Sequence, residues 1–336
     1  MKINILALIG FCIFSINSYA DVSYSKLNRK QFAIESKFET NAEIQSKMID
    51  MIEQKRFKEI SDKAKYLLNS EEYNIDGKFK HTALLDSLLY IVNRSRVTSN
   101  NYFIENIAVG QEWIKAVPDS PLGYIYYALW VRQQAWKVRG GDYSANISKK
   151  NMKYFGEQSI RNLNFLFENY EVASKDPFYY YIVLLTLADL GMEEEYLKAY
   201  KDGVLKFPKQ RVIYNTFMSY FNNNWFGENY DAISMVINDI QKLNPTDQEF
   251  NYYHIMYTAN SYKYDLTKLN VNWGRVEQGA VNSLEKLAST RKTKDIQQLY
   301  CAYPGNKQRL ERLFHSLKIN QLDKSYIDES LSRCQS

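Results

Sequence analysis

The stretch Gln133–Asn146, QQAWKVRGGDYSAN, places a Trp, two cations, a Gly pair and an Asp close together. Such residues bind phosphate when the glycines precede a helix, so that free amides point at the anion and a Lys follows. Here the order is reversed. Leu122, Ile125, Leu129 and Trp136 fall near one face of a helix expected over 121–138, and Gly140-Gly141 comes after it. Arg132 lies one turn before Trp136 and Arg139 three residues after it, so guanidinium and indole can meet on that face. Gly140 is expected to end the helix in the left-handed conformation, and a later Ser or Asn to cap the next helix. RNA-binding RGG segments are repetitive, whereas this one is single. The stretch reads as a structural corner.

Other chemistry is sparse. His81, His254 and His315 are far apart in sequence, and none belongs to an H-E-x-x-H or a Cys/His cluster. Each is expected as a surface or partly buried helix residue, with no metal and no cofactor. No G-x-S-x-G is present. Glu193-Glu194-Glu195 sits at an expected helix start, where acidic groups favour the macrodipole. Paired carboxylates for glycan hydrolysis need only converge in space, so they stay open at this level. Cys301 and Cys334 can form a disulfide in an oxidising compartment or remain two small buried thiols, and spacing leaves both open.

The elements that must position these residues are helices. The chain holds 28 Tyr and 17 Phe against 13 Gly and 6 Pro, as expected for helices whose faces are filled by rings. Ile44, Met48, Met51 and Ile52 share one helical face, and Phe57, Ile60, Ala64, Leu67 and Leu68 another, with a tight turn between them. Residues 231–243 repeat the pattern until Asn244-Pro245 stops it. Further helices are expected near 80–94, 102–116, 149–169, 177–190, 193–206, 211–221, 248–262, 273–288, 294–302, 307–318 and 324–333. No segment alternates as a strand does. The fold class is therefore all-α, read as a degenerate tetratricopeptide-like α-solenoid of stacked helix hairpins, because the paired helices do not keep a strict repeat. Consecutive aromatics such as Phe178-Tyr179-Tyr180-Tyr181 cannot all face one way. Tyr127, Tyr143, Tyr181, Tyr253 and Tyr257 are candidates for a binding face.

The N-terminus reads MKINILALIGFCIFSINSYAD, with Lys2, an apolar run Ile3–Ile16, and small residues Ser18 and Ala20. This is the pattern of a secretory signal peptide cut after Ala20. Residues 1–20 are thus a leader, 21–40 an N-terminal arm and 41–336 a helical-repeat domain. The net charge of +5 is spread along the chain rather than blocked, which gives no nucleic-acid footprint.

Trp113, Pro118 and Ser120, followed by Ala135-Trp136, Arg139 and Gly140, form W-x4-P-x-S and A-W-x-x-R-G motifs. The chain resembles, on these residues, a bacterial domain-of-unknown-function family of helical proteins. Phe155, Asp176-Pro177, the Trp225-x-Gly227 element, Asn272-Trp273-Gly274-Arg275 and Cys301 extend the likeness over roughly residues 41–315. Asn224 stands where that pattern has Pro. The resemblance implies a tetratricopeptide-like fold and no particular chemistry.

The expectation is a periplasmic, non-catalytic helical-repeat protein that binds a protein or peptide partner, as an immunity or adaptor protein. No nucleic acid and no membrane span are expected. The alternatives are a cell-envelope enzyme, such as a peptidoglycan glycan hydrolase on a helical scaffold, and a structural envelope component.

Overall fold

The structure is a computed structural model that describes residues 41–73, 79–94, 100–221, 226–227, 229–287, 290–302 and 308–313. The expected leader and arm, Trp225, His315, Cys334 and the helix expected near 324–333 lie outside the described residues.

The described chain is all-α. In order, it forms α1 (Asn41–Glu53), α2 (Phe57–Ser70), α3 (Lys80–Arg94), α4 (Asn100–Ala116), α5 (Pro121–Arg139), α6 (Lys149–Glu168) and the short α7 (Tyr170–Ala173). Then come α8 (Pro177–Asp189), α9 (Glu193–Lys206), α10 (Arg211–Ser219), α11 (Tyr230–Leu243), α12 (Gln248–Ser261), α13 (Trp273–Leu287) and α14 (Thr290–Cys301). The only extended pairing among the described residues is an isolated bridge between Tyr73 and Phe79. No described helix is long and apolar enough to cross a membrane.

Local chemistry sets the boundaries. Ser120 caps α5 by accepting from the Leu122 amide at 3.3 Å, with Pro121 in the first turn, where its missing N–H costs nothing. Asp176 and Pro177 repeat the device at α8, with the Phe178 amide 2.9 Å from Asp176 Oδ1. Ser148 caps α6 and Asn229 caps α11. Lys55, at φ 54°, makes the turn between α1 and α2.

Packing runs along the chain in two ways. Most helices lie against the next one, as in α4–α5, α5–α6, α8–α9 and α12–α13. A second series links every other hairpin arm: α1 on α3, α3 on α5, α5 on α8, α8 on α10, α10 on α12 and α12 on α14. Three helices of this second series, α5, α8 and α12, are enclosed on several sides. In α8, Pro177–Tyr180 and Ile182–Ala188 are all buried, and α5 and α12 are buried around most of their circumference. The flanking helices bury one stripe each, such as Ala232, Ile233, Val236 and Ile240 on α11.

Tyrosine fills and pins this core. Tyr196 is fully buried and donates to the Thr216 carbonyl at 2.8 Å, Tyr214 to the Pro208 carbonyl at 2.9 Å, and Tyr200 to Asp239 at 3.0 Å. Each ring supplies a large apolar body, and its hydroxyl satisfies a polar group on a neighbouring element. Trp113 does the same, stacking on Phe57 and donating to Ser61 Oγ at 3.1 Å.

Candidate functional site

The Trp136 corner closes on a buried ion pair. Arg132, on α5, grips Asp189, the last residue of α8, through Nε at 2.7 Å and an Nη at 3.0 Å. Trp136 donates its indole N–H to the same carboxylate at 3.0 Å. The Asp189 side chain is fully buried. Burial pushes its carboxyl above the ordinary carboxylate value, against the pull of Arg132 and Trp136. The facing carboxylate holds Arg132 protonated despite its desolvation. Arg139 lies 4.7 Å from the Trp136 ring and 5.6 Å from Phe155, and it also bonds the Gly140 and Asp142 carbonyls. Every group of the corner is engaged by its own chain.

One expectation for the corner needs correction. Gly140 does end α5, its amide bonding the Trp136 carbonyl at 2.9 Å, but at φ 91°, ψ 167° rather than in the left-handed helical region. That extended, positive-φ conformation is essentially restricted to glycine. The other motif residues also have structural places. Pro118 offers its carbonyl to Tyr124 at 3.1 Å, Ala135 is fully buried, and Gly227 adopts φ 82°.

The five candidate tyrosines do not form one surface. Tyr253 is 0% exposed and packs edge-on against His254, so it is removed from any binding face. The physical reason is that α12 is enclosed by α11 and α13, leaving that position no route to solvent. Tyr127 is half-buried against Phe165 at 4.5 Å. Tyr181 is half-buried, and burial raises its hydroxyl to about 12 with Arg132 near enough to oppose the shift. Tyr143 is 80% exposed on the turn after α5. Tyr257 donates to Asp295 at 3.2 Å and lines a polar cavity of about 720 Å³ with Asn260, Lys263 and Gln298.

His81 also departs from expectation. It is fully buried, its Nε2 2.8 Å from Asp176 Oδ2, and it stacks on Phe178. His254 is buried as well. Among the described residues no group of His, Cys, Asp and Glu is arranged to hold a metal ion. Cys301 is disulfide-bonded.

Two further clefts, besides the cavity at Tyr257, offer places where a ligand can enter. The first, about 410 Å³, lies between α2 and the start of α5 and brings together Asp62, Asp119 and Asp176 with Lys65 and Lys175. Both Asp176 oxygens are already engaged, by His81 and the α8 amide, and Asp62 pairs with Lys58 at 2.7 Å. The second, about 300 Å³, lies between the end of α6, α7, α8 and α9. Its walls are aromatic and aliphatic: Phe167, Tyr170, Tyr179, Tyr180, Val183 and Leu187, with the Ala199 methyl. Glu195, Lys198 and Asp202 rim it. Phe167 is 51% exposed at its mouth. Tyr180 donates to Asp202 Oδ2 at 2.6 Å and Tyr170 to the same oxygen at 3.2 Å. The Tyr180 ring reaches α9 because Gly203 has no side chain, since a Cβ there would lie 2.9 Å from Tyr180 Cγ. Burial and the hydrogen bond to Asp202 raise the Tyr180 hydroxyl above the ordinary tyrosine value.

The run Phe178–Tyr181 thus divides as its helical spacing requires: Phe178 on His81, Tyr179 and Tyr180 to the aromatic cleft, Tyr181 toward Arg132. Its partners, Phe167 on α6 and Asp202 on α9, carry no sequence signal of their own. No protein-family model, curated protein or solved structure matches this chain.

Proposed function

We propose that this chain is a degenerate tetratricopeptide-like α-solenoid, exported to the periplasm, that acts without catalysis by binding a protein or peptide partner. The observation that carries the reading is the aromatic cleft between α6, α8 and α9, open at an exposed Phe167 and rimmed by charge. Aromatic side chains set beside charged groups are what protein interfaces use as anchors. The alternating contact series α1–α3–α5–α8–α10–α12–α14 supports the solenoid reading, since stacked hairpins bury a continuous inner layer this way. The apolar leader supports export. In this reading the protein serves as an immunity or adaptor protein, and the resemblance to the helical family concerns scaffold rather than chemistry.

The test is site-specific photo-cross-linking. A photoreactive phenylalanine analogue at position 167 should trap a defined polypeptide in the periplasm of the native cell. The same probe at the exposed Tyr143, on the turn after α5, should not trap it. Cross-links that appear equally at both positions, or at neither, would sink the assignment of the cleft.

A second reading draws on the α2–α5 cleft. The gathering of Asp62, Asp119 and Asp176 there is the observation that favours a glycan hydrolase. Peptidoglycan turnover by the purified protein that is abolished in Asp119→Asn would move the assignment to that cleft.

A further inference from the structure

The aromatic cleft holds a carboxylate with which no cation among the described residues forms an ion pair. Asp202 takes two phenol hydrogen bonds on Oδ2, and among the described residues it makes no salt bridge. Its Oδ1 is left for an incoming donor. Glu195 adds a second negative charge on the rim, against the single Lys198. Successive rings turn through nearly a right angle. Tyr170 meets Tyr179 at 79° with centroids 5.7 Å apart, and Tyr179 meets Tyr180 at 87° and 5.1 Å. Tyr179 and Tyr180 are only 2% and 1% exposed and back the cleft, so the rings open to a ligand are those of Phe167 and Tyr170. One ammonium of the chain already uses the Tyr170 ring, because Lys206 Nζ lies 5.1 Å from its centroid, anchored on Ser174 Oγ at 2.8 Å.

Aromatic faces attract a cation through the ring quadrupole, and the attraction grows when water is excluded. An uncompensated carboxylate beside an apolar cavity adds directional attraction to the same ligand. A neutral apolar side chain would fill the cavity and leave Asp202 with less water and no new partner. We propose that the cleft is an aromatic cage for an alkylammonium or guanidinium group, supplied as the Lys or Arg side chain of a partner polypeptide. This rests on the protein-binding reading above and names the chemistry of its anchor. Phe167 and Tyr170 would flank the aliphatic stem, Asp202 Oδ1 and Glu195 would receive the charged head, and Lys198 would weaken the fit.

The experiment uses the full mature chain with ¹³C-labelled Val and Leu methyl groups, and the peptides Ac-Gly-Lys-Gly-NH₂, its Nε-acetylated form and its norleucine counterpart. The lysine peptide should shift the Val183 and Leu187 methyl signals saturably. The acetylated and norleucine peptides should bind about tenfold or more weakly, the ratio that ~1.4 kcal/mol of cation recognition gives. Asp202→Asn and Phe167→Ala should each weaken the lysine peptide to a similar degree, and Lys198→Ala should strengthen it. Phe167→Ala changes an exposed side chain, so its loss of binding is not a loss of fold. Equal affinity for lysine and norleucine, or no saturable shift with any peptide, overturns the cage. Lysine-selective binding without any cross-linked partner at residue 167 would keep the cage and discard the protein-partner reading.

Discussion

Asp189 and Asp202 both accept hydrogen bonds from aromatic donors, yet they end in opposite states. Asp189 is enclosed at the C-terminal end of α8, held by Trp136 and gripped by Arg132, so its charge is answered within the fold. Asp202 stands thirteen residues later on α9, held by Tyr170 and Tyr180, with no cation among the described residues paired to it. A phenol or indole N–H orients a carboxylate without cancelling its charge. Burial then decides the rest. An enclosed carboxylate is costly unless partners within the fold pair with it or hydrogen-bond it, whereas one at the rim of a cleft stays hydrated and can wait for a cation from outside.

The largest test of this contrast is Arg132→Ala. It leaves Asp189 buried and unpaired, and should cost about 3–5 kcal/mol of unfolding free energy in denaturant titration. The double change Arg132→Met with Asp189→Leu should cost markedly less, because no lone charge remains. Equal losses in the two proteins would show that the ion pair is not what the corner depends on. Next comes Gly203→Ala. The new methyl would meet the Tyr180 ring at 2.9 Å and Ile213 Cγ2 at 3.2 Å, which should cost about 1–3 kcal/mol and move the phenol away from Asp202. A Tyr180 ring unmoved in the variant's crystal structure would show that the glycine is not what admits it.

Asp202→Asn should leave stability within about 0.5 kcal/mol, as for surface substitutions, while removing the charge of the cleft. A loss as large as that of Arg132→Ala would place Asp202 in the same class as Asp189 and end the contrast. Glu72 is an intermediate case, because it has both a phenol, Tyr66 at 3.1 Å, and a cation, Lys80 at 2.7 Å. The Lys80 hydrogen bond, then that of Tyr66, lowers its pKa. A lowered carboxyl pKa gives stability that is present above the unfolded value and is lost as pH falls through the folded one. The advantage of the wild type over Glu72→Gln should therefore be small at neutral pH and fade in acid, measured by unfolding at several pH values. An advantage that grows in acid would reverse the assigned sign.

Much of the helical layout was legible in the residues. Periodic apolar rows, the Ser120-Pro121 and Asp176-Pro177 starts, and the Asn244-Pro245 stop mark boundaries through hydrogen bonds spanning two to four residues. The meeting of Arg139 with Trp136 was legible for the same reason, since both lie within one turn of α5. The final helices were less so, as α14 begins at Thr290 rather than near residue 294. The site residues were mostly not legible. Tyr253 and Tyr257 look alike in sequence, but one is enclosed between helices and the other lines a cavity. His81 carries no motif, and its partner Asp176 is 95 residues away.

The sequence by itself determined an all-α fold class, the helix boundaries marked by Ser120-Pro121, Asp176-Pro177 and Asn244-Pro245, and the pairing of Arg139 with Trp136, because each depends on neighbours within a turn or two. Tertiary structure alone decided which carboxylate is sealed and which stays open. Asp189 meets Arg132 across 57 residues and Asp202 meets Tyr170 across 32, and such meetings depend on how helix ends approach one another after the core has packed.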